Sequence, residues 1–201
     1  MLNLPKSTEV HKQLPKKSIY EKFKLNVSEK EKIDADISKI RIVNEISPVK
    51  VHIAEGEKVK AFFVVQVILK SKEFDVKTIV MISKLIPQNM LFVLEYNDES
   101  KLAVYHTNLM QTSWQPKESS SVSLKGTNLD IVWENIITEI GGIKIENNNT
   151  LDEQIEIDIK RKKLEKEIDI LDKRARKQKQ PKKKFELSQQ ISRLRKELEE
   201  I

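Results

Sequence analysis

The feature that most constrains the fold is an almost unbroken apolar run, AFFVVQVIL, at residues 61–69. A strand that is covered on one face alternates apolar and polar residues, whereas a strand that is covered on both faces is continuously apolar. Gln66 is the one polar residue of the run. The run therefore predicts a central strand in a sheet with packed layers on both sides.

The segments before this run predict a helix and a hairpin. SEKE is a capping-box sequence, and Ile33, Ile37 and Ile40 follow it at helical spacing, which predicts a helix over residues 29–41. VKVHIAEG is rich in β-branched residues and leads into a turn at residues 55–57. We therefore expect it to form a hairpin with the central strand.

The segments after this run predict a helix, a second hairpin and a last helix. FDVKTIVMISKLI has a broad apolar helical stripe that Pro87 ends, and MLFVLEY and KLAVYHT flank the turn cluster NDES. Residues 108–121 are expected to form a loop, with SVSL after it as a short edge strand. Thr127 and Asp130 mark the cap of a helix whose apolar stripe ends at Gly141-Gly142.

From Leu151 onward the apolar residues follow a heptad repeat. One apolar seam comprises Ile157, Leu164, Ile168, Leu171 and Ala175, and the other comprises Leu187, Ile191, Leu194, Leu198 and Ile201. Steps of 4, 3, 4 and 3 in the second seam are typical of a coiled coil. Pro181 lies between the seams and would cost about 3 kcal/mol inside a helix. We therefore expect helices over residues 152–177 and 182–200, folded back as an antiparallel hairpin; a single kinked helix that pairs with another copy is the alternative.

These elements together predict an α+β fold: a mixed or antiparallel sheet with packed helices, followed by a C-terminal antiparallel helical hairpin of coiled-coil type. Three regions are expected. Residues 1–24 hold six lysines against two glutamates and are expected to be an extended basic arm. Residues 25–145 would form the globular α+β domain, and residues 151–201 would form the hairpin.

The hairpin carries a concentrated positive charge at its predicted tip. Residues 173–184, KRARKQKQPKKK, hold eight basic residues and no acidic one, and we call them the basic tip. The candidate nucleic-acid contacts are Lys173, Arg174, Arg176, Lys177, Lys179, Lys182, Lys183 and Lys184. The tip could keep the hairpin soluble, contact phosphates, or contact an acidic protein surface. The absence of aromatic residues in this stretch argues against stacking on the bases of single strands.

Apolar residues of the second seam are the candidates for protein binding. An isolated arm of about five turns is marginal in water, so the seam needs the other arm, a second subunit or another protein. The candidate partner contacts are Leu187, Ile191, Leu194, Leu198 and Trp114. Trp114 lies in the predicted loop beside Pro116, where it would either cover the sheet or take part in recognition. A homo-oligomer formed through the hairpin is a further alternative.

Composition and motifs exclude several kinds of site. The chain has no cysteine, which excludes disulfides and thiolate ligands, and its histidines, His11, His52 and His106, have no metal-ligand spacing. Phosphate-loop and G-x-S-x-G motifs are absent. We therefore expect no catalytic residue, metal or cofactor. The N-terminus lacks the apolar core of a signal peptide, and no window has about 18 apolar residues, so we expect a cytoplasmic protein without a membrane span.

A metal-dependent nuclease is the enzymatic alternative. Such a site needs an acidic residue upstream of a Glu-x-Lys triplet, to hold a metal that activates water. Glu99 and Lys101 have this spacing, with Asp75 as the upstream acid, although Glu99 lies in a predicted turn where charge is common. On the central strand, Gln66 stands where a metal-binding carboxylate would be needed, and an amide cannot supply its charge.

Several stretches, taken in order, resemble one known family. They are LPKKSIYEKF, GEKVKAFFVVQVILK, IPQNMLFVLEY, TSW, LKGTNLDIVWENII and FELSQQISRLRKELEEI, and they span nearly the whole chain. Their order is similar to that of the bacterial family catalogued as domain of unknown function 4391. The resemblance implies a small accessory protein whose gene lies with those of a superfamily-two helicase and an adenine DNA methyltransferase, in restriction-like or phage-defence clusters. Ala61, Gln66 and Ile68 stand where relatives often carry glutamates, which favours a non-enzymatic role here.

The resulting hypothesis is a non-catalytic adaptor of a bacterial restriction or phage-defence assembly. It would dock on a larger DNA-processing partner, which the resemblance suggests is a helicase or a DNA methyltransferase, and its basic tip would contact the DNA backbone. The alternatives are a degenerate metal-dependent nuclease, a stand-alone nucleic-acid-binding module, and a toxin or antitoxin partner.

Overall fold

The computed structural model describes residues 2–146 and 148–201. Met1, which belongs to the predicted arm, and Asn147, which lies between the predicted domain and hairpin, fall outside the described residues. The chain divides into two compact units, Met1–Ile143 and Lys144–Ile201, and each is described by itself.

The first unit is built on a seven-stranded mixed sheet. Its strands are β1 (Glu9–Gln13), β2 (Ile37–Ile46), β3 (Phe62–Leu69), β4 (Asn89–Tyr96), β5 (Glu99–Tyr105), β6 (Leu109–Gln111) and β7 (Gln115–Pro116). Its α-helices are α1 (Lys16–Lys22), α2 (Val27–Asp36), α3 (Pro48–Val51), α4 (Val76–Ser83) and α5 (Leu129–Gly141). The strands follow the order β1-β2-β3-β4-β5-β6, and β7 also pairs with β5.

Strand β3 is the central strand that the apolar run predicts. It pairs antiparallel with β2 and parallel with β4, and α4 forms the crossover between β3 and β4. The other strand pairs are antiparallel. The predicted α+β class is therefore confirmed, as are helix α4 and the hairpin of β4 and β5.

Both faces of β3 are covered, because its residues alternate between two packed layers. On one face Val65 and Val67 share a core with Ile19 of α1, Ile33 of α2 and Ile79 of α4. On the other face the ring of Phe62 lies 5.0 Å from that of Trp133, which is buried on α5. Helices therefore pack on both sides of the sheet.

The predicted helix over residues 29–41 is wrong in its second half. Helix α2 ends at Asp36, and Ile37 already belongs to β2. A β-bulge between Ile37 and Lys39 inserts an extra residue in β2. Ile37 and Ile40 are consequently both buried although they are three positions apart, which is the spacing of a helix. The cap also differs, since a capping box joins Asn26 and Glu29 rather than Ser28 and its partner.

Strand β2 also takes the place that the VKVHIAEG segment was expected to occupy beside β3. That segment instead contains the short helix α3, which Pro48 begins, and His52 ends it with a left-handed backbone. Its β-branched residues are outside the sheet, because β2 already occupies that edge of β3. The strand propensity of a segment is realised only where such an edge is free.

The N-terminal residues are not an extended arm. Within residues 2–24, β1 pairs with the outer edge of β2, and α1 packs into the core through Ile19. Only Val10 of β1 is even half-buried, so this edge strand lacks the apolar alternation that would reveal it in the sequence. Its lysine and glutamate side chains suit an edge that must not pair with another chain.

Helix α5 holds the connection between β2 and β3 in place through Asp130. The N-cap of α5 is Asn128, and the Asp130 carboxylate instead accepts hydrogen bonds from the backbone N–H groups of Glu57, Lys58 and Val59, at 2.7, 3.1 and 2.7 Å. A Cβ on Gly56 would lie 2.3 Å from Asp130 Oδ1, so this approach requires glycine.

The three N–H donors make a pH-dependent contribution to stability. They hold the pKa of Asp130 below its ordinary value, with Val59 as the largest cause. A folded pKa below the unfolded value of about 3.9 stabilises the fold above that pH, and the contribution is lost as pH falls through the folded pKa. We expect Asp130→Asn to lower the free energy of unfolding at neutral pH, and the gap to wild type to narrow below about pH 4.

This prediction is measured by urea unfolding between pH 3 and 7. The control is Asp98→Asn, because Asp98 is exposed in the turn between β4 and β5 and its carboxylate accepts no hydrogen bond from a described residue. The control should follow wild type throughout. A gap for Asp130→Asn that is constant across the pH range would contradict the assignment.

The second unit is the helical hairpin that the two seams predict. Helices α6 (Leu151–Lys177) and α7 (Pro181–Glu199) pack against each other. Leu164, Ile168 and Ile191 are buried on the seams, and Thr150 with Glu153 forms the capping box of α6. The predicted hairpin is therefore confirmed to within two residues at each helix end.

Candidate functional site

The basic tip lies at the turn of the hairpin. Helix α6 ends at Lys177, and residues 178–180 join it to α7. Pro181 occupies the first position of α7, where its missing N–H costs nothing, and it forces Gln180 into an extended backbone that ends the loop. Pro181 therefore fixes the sharp turn that brings the basic residues of both helices together.

All eight basic side chains of the tip are exposed to solvent. Lys173 pairs with Asp169 at 2.6 Å, and the other seven form no ion pair with any described residue. Arg174, Arg176 and Lys177 occupy the last turn of α6, where positive charge is favourable to the helix dipole. The structure thus brings together every predicted nucleic-acid contact and leaves seven charges without a partner in the described chain.

The dipole of α7, by contrast, disfavours the three lysines at its start, which are Lys182, Lys183 and Lys184. They occupy the first turn of α7, which has no acidic residue, although that end of a helix favours negative charge. Their mutual repulsion and the helix dipole both disfavour this arrangement. Helix stability therefore does not account for the three lysines, whereas an anion held against them would relieve both costs.

Phe185 is a candidate that the sequence analysis missed. It directly follows Lys184, and 64% of its surface is exposed. It lies two positions before Leu187, so it is off the apolar seam. The sequence does indicate this exposed ring, because Phe185 is the one large apolar residue of α7 outside the seam. The tip therefore has an exposed aromatic ring at its edge after all.

The predicted partner contacts on α7 are used largely within the hairpin. Ile191 is buried, and Leu187, Leu194 and Leu198 are half-buried on the side that faces α6. The other arm is thus the seam's partner in this structure. Binding of a protein by these four leucine and isoleucine residues stays a prediction, and it would use the parts of their side chains that α6 leaves uncovered.

Trp114 lies against the sheet rather than free in a loop. It is partly buried against the core cluster that contains Val65 and Val67, and the Nζ atoms of Lys101 and Lys72 lie 5.0 and 5.8 Å from its ring centroid. Burial lowers the pKa of Lys101, whose ammonium also lies 4.9 Å from the Phe74 ring. Trp114 thus covers the edge of the core, and its role in recognition stays a prediction.

The two carboxylates that the nuclease alternative requires, those of Asp75 and Glu99, are bound by other groups of the first unit. Asp75 Oδ1 accepts from the Lys77 N–H and caps α4, and Glu99 pairs with Lys72 at the start of β5. Among the described residues, no group of three or more histidine, aspartate or glutamate side chains is arranged to hold a metal ion.

The sequence analysis also missed a series of linked polar contacts on the sheet, centred on the buried Glu95. Gln66 Nε2 donates to Glu95 Oε1 at 2.8 Å, and Lys117 Nζ lies 2.9 Å from Glu95 Oε2. Gln66 lies opposite Val93 in the parallel register, which places it on the same face as Glu95 two positions further on. The position where a nuclease would need a carboxylate therefore holds an amide that orients a buried glutamate.

Comparison with protein families identified a match. The family model described as Domain of unknown function (DUF4391) matches residues 2–198. Comparisons with curated proteins and with solved structures found no match. Every helix among the described residues is too short or too polar to span a lipid bilayer.

Proposed function

The chain belongs to the DUF4391 family, and from that premise and the geometry of the basic tip we propose that it is a non-catalytic adaptor that binds nucleic-acid backbones. Its partner would be a larger DNA-processing protein of a restriction or phage-defence assembly, such as a helicase or DNA methyltransferase. The family resemblance suggests the class of partner, and the charge of the basic tip suggests the DNA contact.

One observation carries the DNA contact: three lysines occupy the first turn of α7, where helix stability favours acids, and none forms an ion pair with a described residue. Four further unpaired cations lie across the turn or on it, at Arg174, Arg176, Lys177 and Lys179. Such a cluster would bind phosphates without reading sequence, by displacing condensed counterions.

The adaptor role is supported by what the candidate catalytic groups do. Asp75, Glu99 and Glu95 are engaged in a helix cap and two ion pairs. The adaptor proposal uses no chemistry from these residues and needs only surfaces. Phe185 adds an exposed aromatic ring to the tip, which suits contact with a base or sugar beside the phosphates.

An affinity capture from lysate of the native host tests the adaptor role. We expect the tagged protein to retain a large DNA-processing protein after nuclease treatment. The variant with Lys182, Lys183 and Lys184 changed to Gln should retain the same protein and lose nucleic acid from the untreated sample.

The two halves of the proposal fail separately in this experiment. If nuclease removes everything that binds, the adaptor role is wrong and the chain acts as a nucleic-acid-binding module. If the triple variant captures as much nucleic acid as wild type, the tip is not the contact.

A further inference from the structure

A cavity of about 450 Å³ lies on the first unit, over strands β1–β4 of the sheet. Its polar lining comes from elements far apart in the chain. Lys6 precedes β1 and His11 lies on it, Arg41 and Asn44 lie on β2, and Gln66 lies on β3. The volume falls within the roughly 300–1,000 Å³ of small-molecule sites.

The strand register explains why these residues share one wall. Arg41 pairs with Gln66 across β2 and β3, and Gln66 pairs with Val93 across β3 and β4. Residues directly opposite one another on neighbouring strands point to the same face. The cavity floor is therefore a row across three central strands, with a cation at one end and an apolar side chain at the other.

The cations of the cavity have no partners in the described chain. Neither Lys6 nor Arg41 forms an ion pair with a described residue, whereas Lys16, Lys50 and Lys117 of the same unit do. One carboxylate, that of Glu9, is among the lining residues. The guanidinium fork of arginine matches the oxygens of a phosphate bidentately, so an unpaired Arg41 beside Lys6 favours an anion of this kind.

The nearly buried side-chain amides of Gln66 and Asn44 provide hydrogen-bond acceptors at fixed positions on the cavity floor. Gln66 Nε2 donates to Glu95, and Asn44 Nδ2 donates to Thr8 Oγ1 at 2.8 Å. These bonds fix the amide orientations, and the Gln66 Oε1 and Asn44 Oδ1 atoms accept no hydrogen bond from a described residue. Acceptors of this kind suit the hydroxyl or amino groups of a ligand, in addition to its anionic group.

The edge of the cavity is formed by strained backbone. Leu2 and Asn3 both have left-handed conformations, with φ of 60° and 57°, and the Leu2 oxygen accepts a hydrogen bond from the Val122 N–H. Consecutive left-handed residues other than glycine are costly, and such strain concentrates at ligand sites. Leu2 and Asn3 both line the cavity.

We propose that this cavity binds a phosphorylated compound of nucleotide size, with the phosphate between Arg41 and Lys6 and the remainder on the amide and apolar floor of Asn44, Gln66 and Val93. The cavity shares no residue with the basic tip, and the ligand it would bind goes beyond the adaptor function.

Titration calorimetry on the full-length chain tests the site. The probes are the four ribonucleoside 5′-monophosphates, with adenosine and inorganic phosphate as fragments, at low salt. We expect at least one monophosphate to bind more tightly than either fragment, and Arg41→Ala to weaken it about tenfold or more, since a hydrogen bond to a charged group is lost. Lys39→Ala is the matched control, because Lys39 is an exposed cation on the same strand outside the cavity.

Two further variants distinguish binding in the cavity from attraction to charge alone and from binding at the basic tip. Arg41→Lys should recover part of the affinity, because it keeps the charge and loses the fork. The Lys182, Lys183 and Lys184 to Gln variant should bind the monophosphate as wild type does, since the tip is a different site. Failure of all four monophosphates to bind, or equal weakening by Lys39→Ala and Arg41→Ala, would overturn the proposal.

Discussion

A Lys117→Met variant is expected to lose about 3 kcal/mol of unfolding free energy in the first unit. Lys117 Nζ neutralises Glu95, whose side chain is only 4% exposed on β4. Removing the lysine leaves a buried carboxylate with one hydrogen bond, from the Gln66 amide. An uncompensated buried charge is one of the few single changes that cost this much.

The double variant Glu95→Gln with Lys117→Met gives the sharper test. With the carboxylate removed, Lys117 has no charge to neutralise, and the new amide can still bond to Gln66. We therefore expect the double variant to be more stable than Lys117→Met alone, although it carries one more substitution.

Lys50→Met is the matched control for this pair. Lys50 lies 2.7 Å from Glu45, about as close as Lys117 to Glu95, but the Glu45 side chain is 36% exposed. Water can replace the lysine there, so the expected loss is below about 1 kcal/mol. Tryptophan fluorescence during urea unfolding reports on the first unit, since Trp114 and Trp133 both lie in it. Equal losses for Lys117→Met and Lys50→Met would contradict the role assigned to burial.

Elements whose burial follows a regular local pattern, continuous or periodic, could be predicted from the sequence. The apolar run identified β3 because both faces of that strand are covered, and the heptad steps with Pro181 located the hairpin. In each case one local pattern has one physical interpretation: a run without polar residues needs two layers, and a proline between seams needs a turn.

Elements whose pattern is altered by irregular geometry could not be predicted. The bulge in β2 gives Ile37 and Ile40 a spacing of three, which indicates a helix when only the sequence is known. Strand β1 lies at the sheet edge and buries almost nothing, so it leaves no alternation to detect. A bulge and an edge are properties of pairing between strands, which a single segment does not encode.

The candidate sites divide in the same way. The basic tip is local in sequence, so charge counting locates all eight residues. Gln66 and Glu95 are 29 residues apart, and only the parallel register of β3 and β4 brings them together. The cavity depends on strand pairing too, because the antiparallel register of β2 and β3 places Arg41 opposite Gln66.

Changing Lys182, Lys183 and Lys184 to Gln is expected to weaken binding of a short random-sequence DNA duplex on the order of a hundredfold at about 50 mM salt. Each phosphate contact contributes about 0.9 to the slope of the logarithm of affinity against the logarithm of salt concentration, so the slope should fall by about three. Fluorescence anisotropy over a salt series measures both quantities.

The matched control changes Lys162, Lys163 and Lys166 to Gln. These exposed lysines of α6 lie in the same unit away from the turn, form no ion pair with a described residue, and carry the same total charge. If net charge alone attracted DNA, both triple variants would weaken binding equally, and the tip would be no more than a soluble end of the hairpin. A control slope close to that of wild type, beside a slope about three units smaller for the tip variant, assigns the phosphate contacts to the first turn of α7, because only there does each lost lysine remove a contact rather than a distant charge.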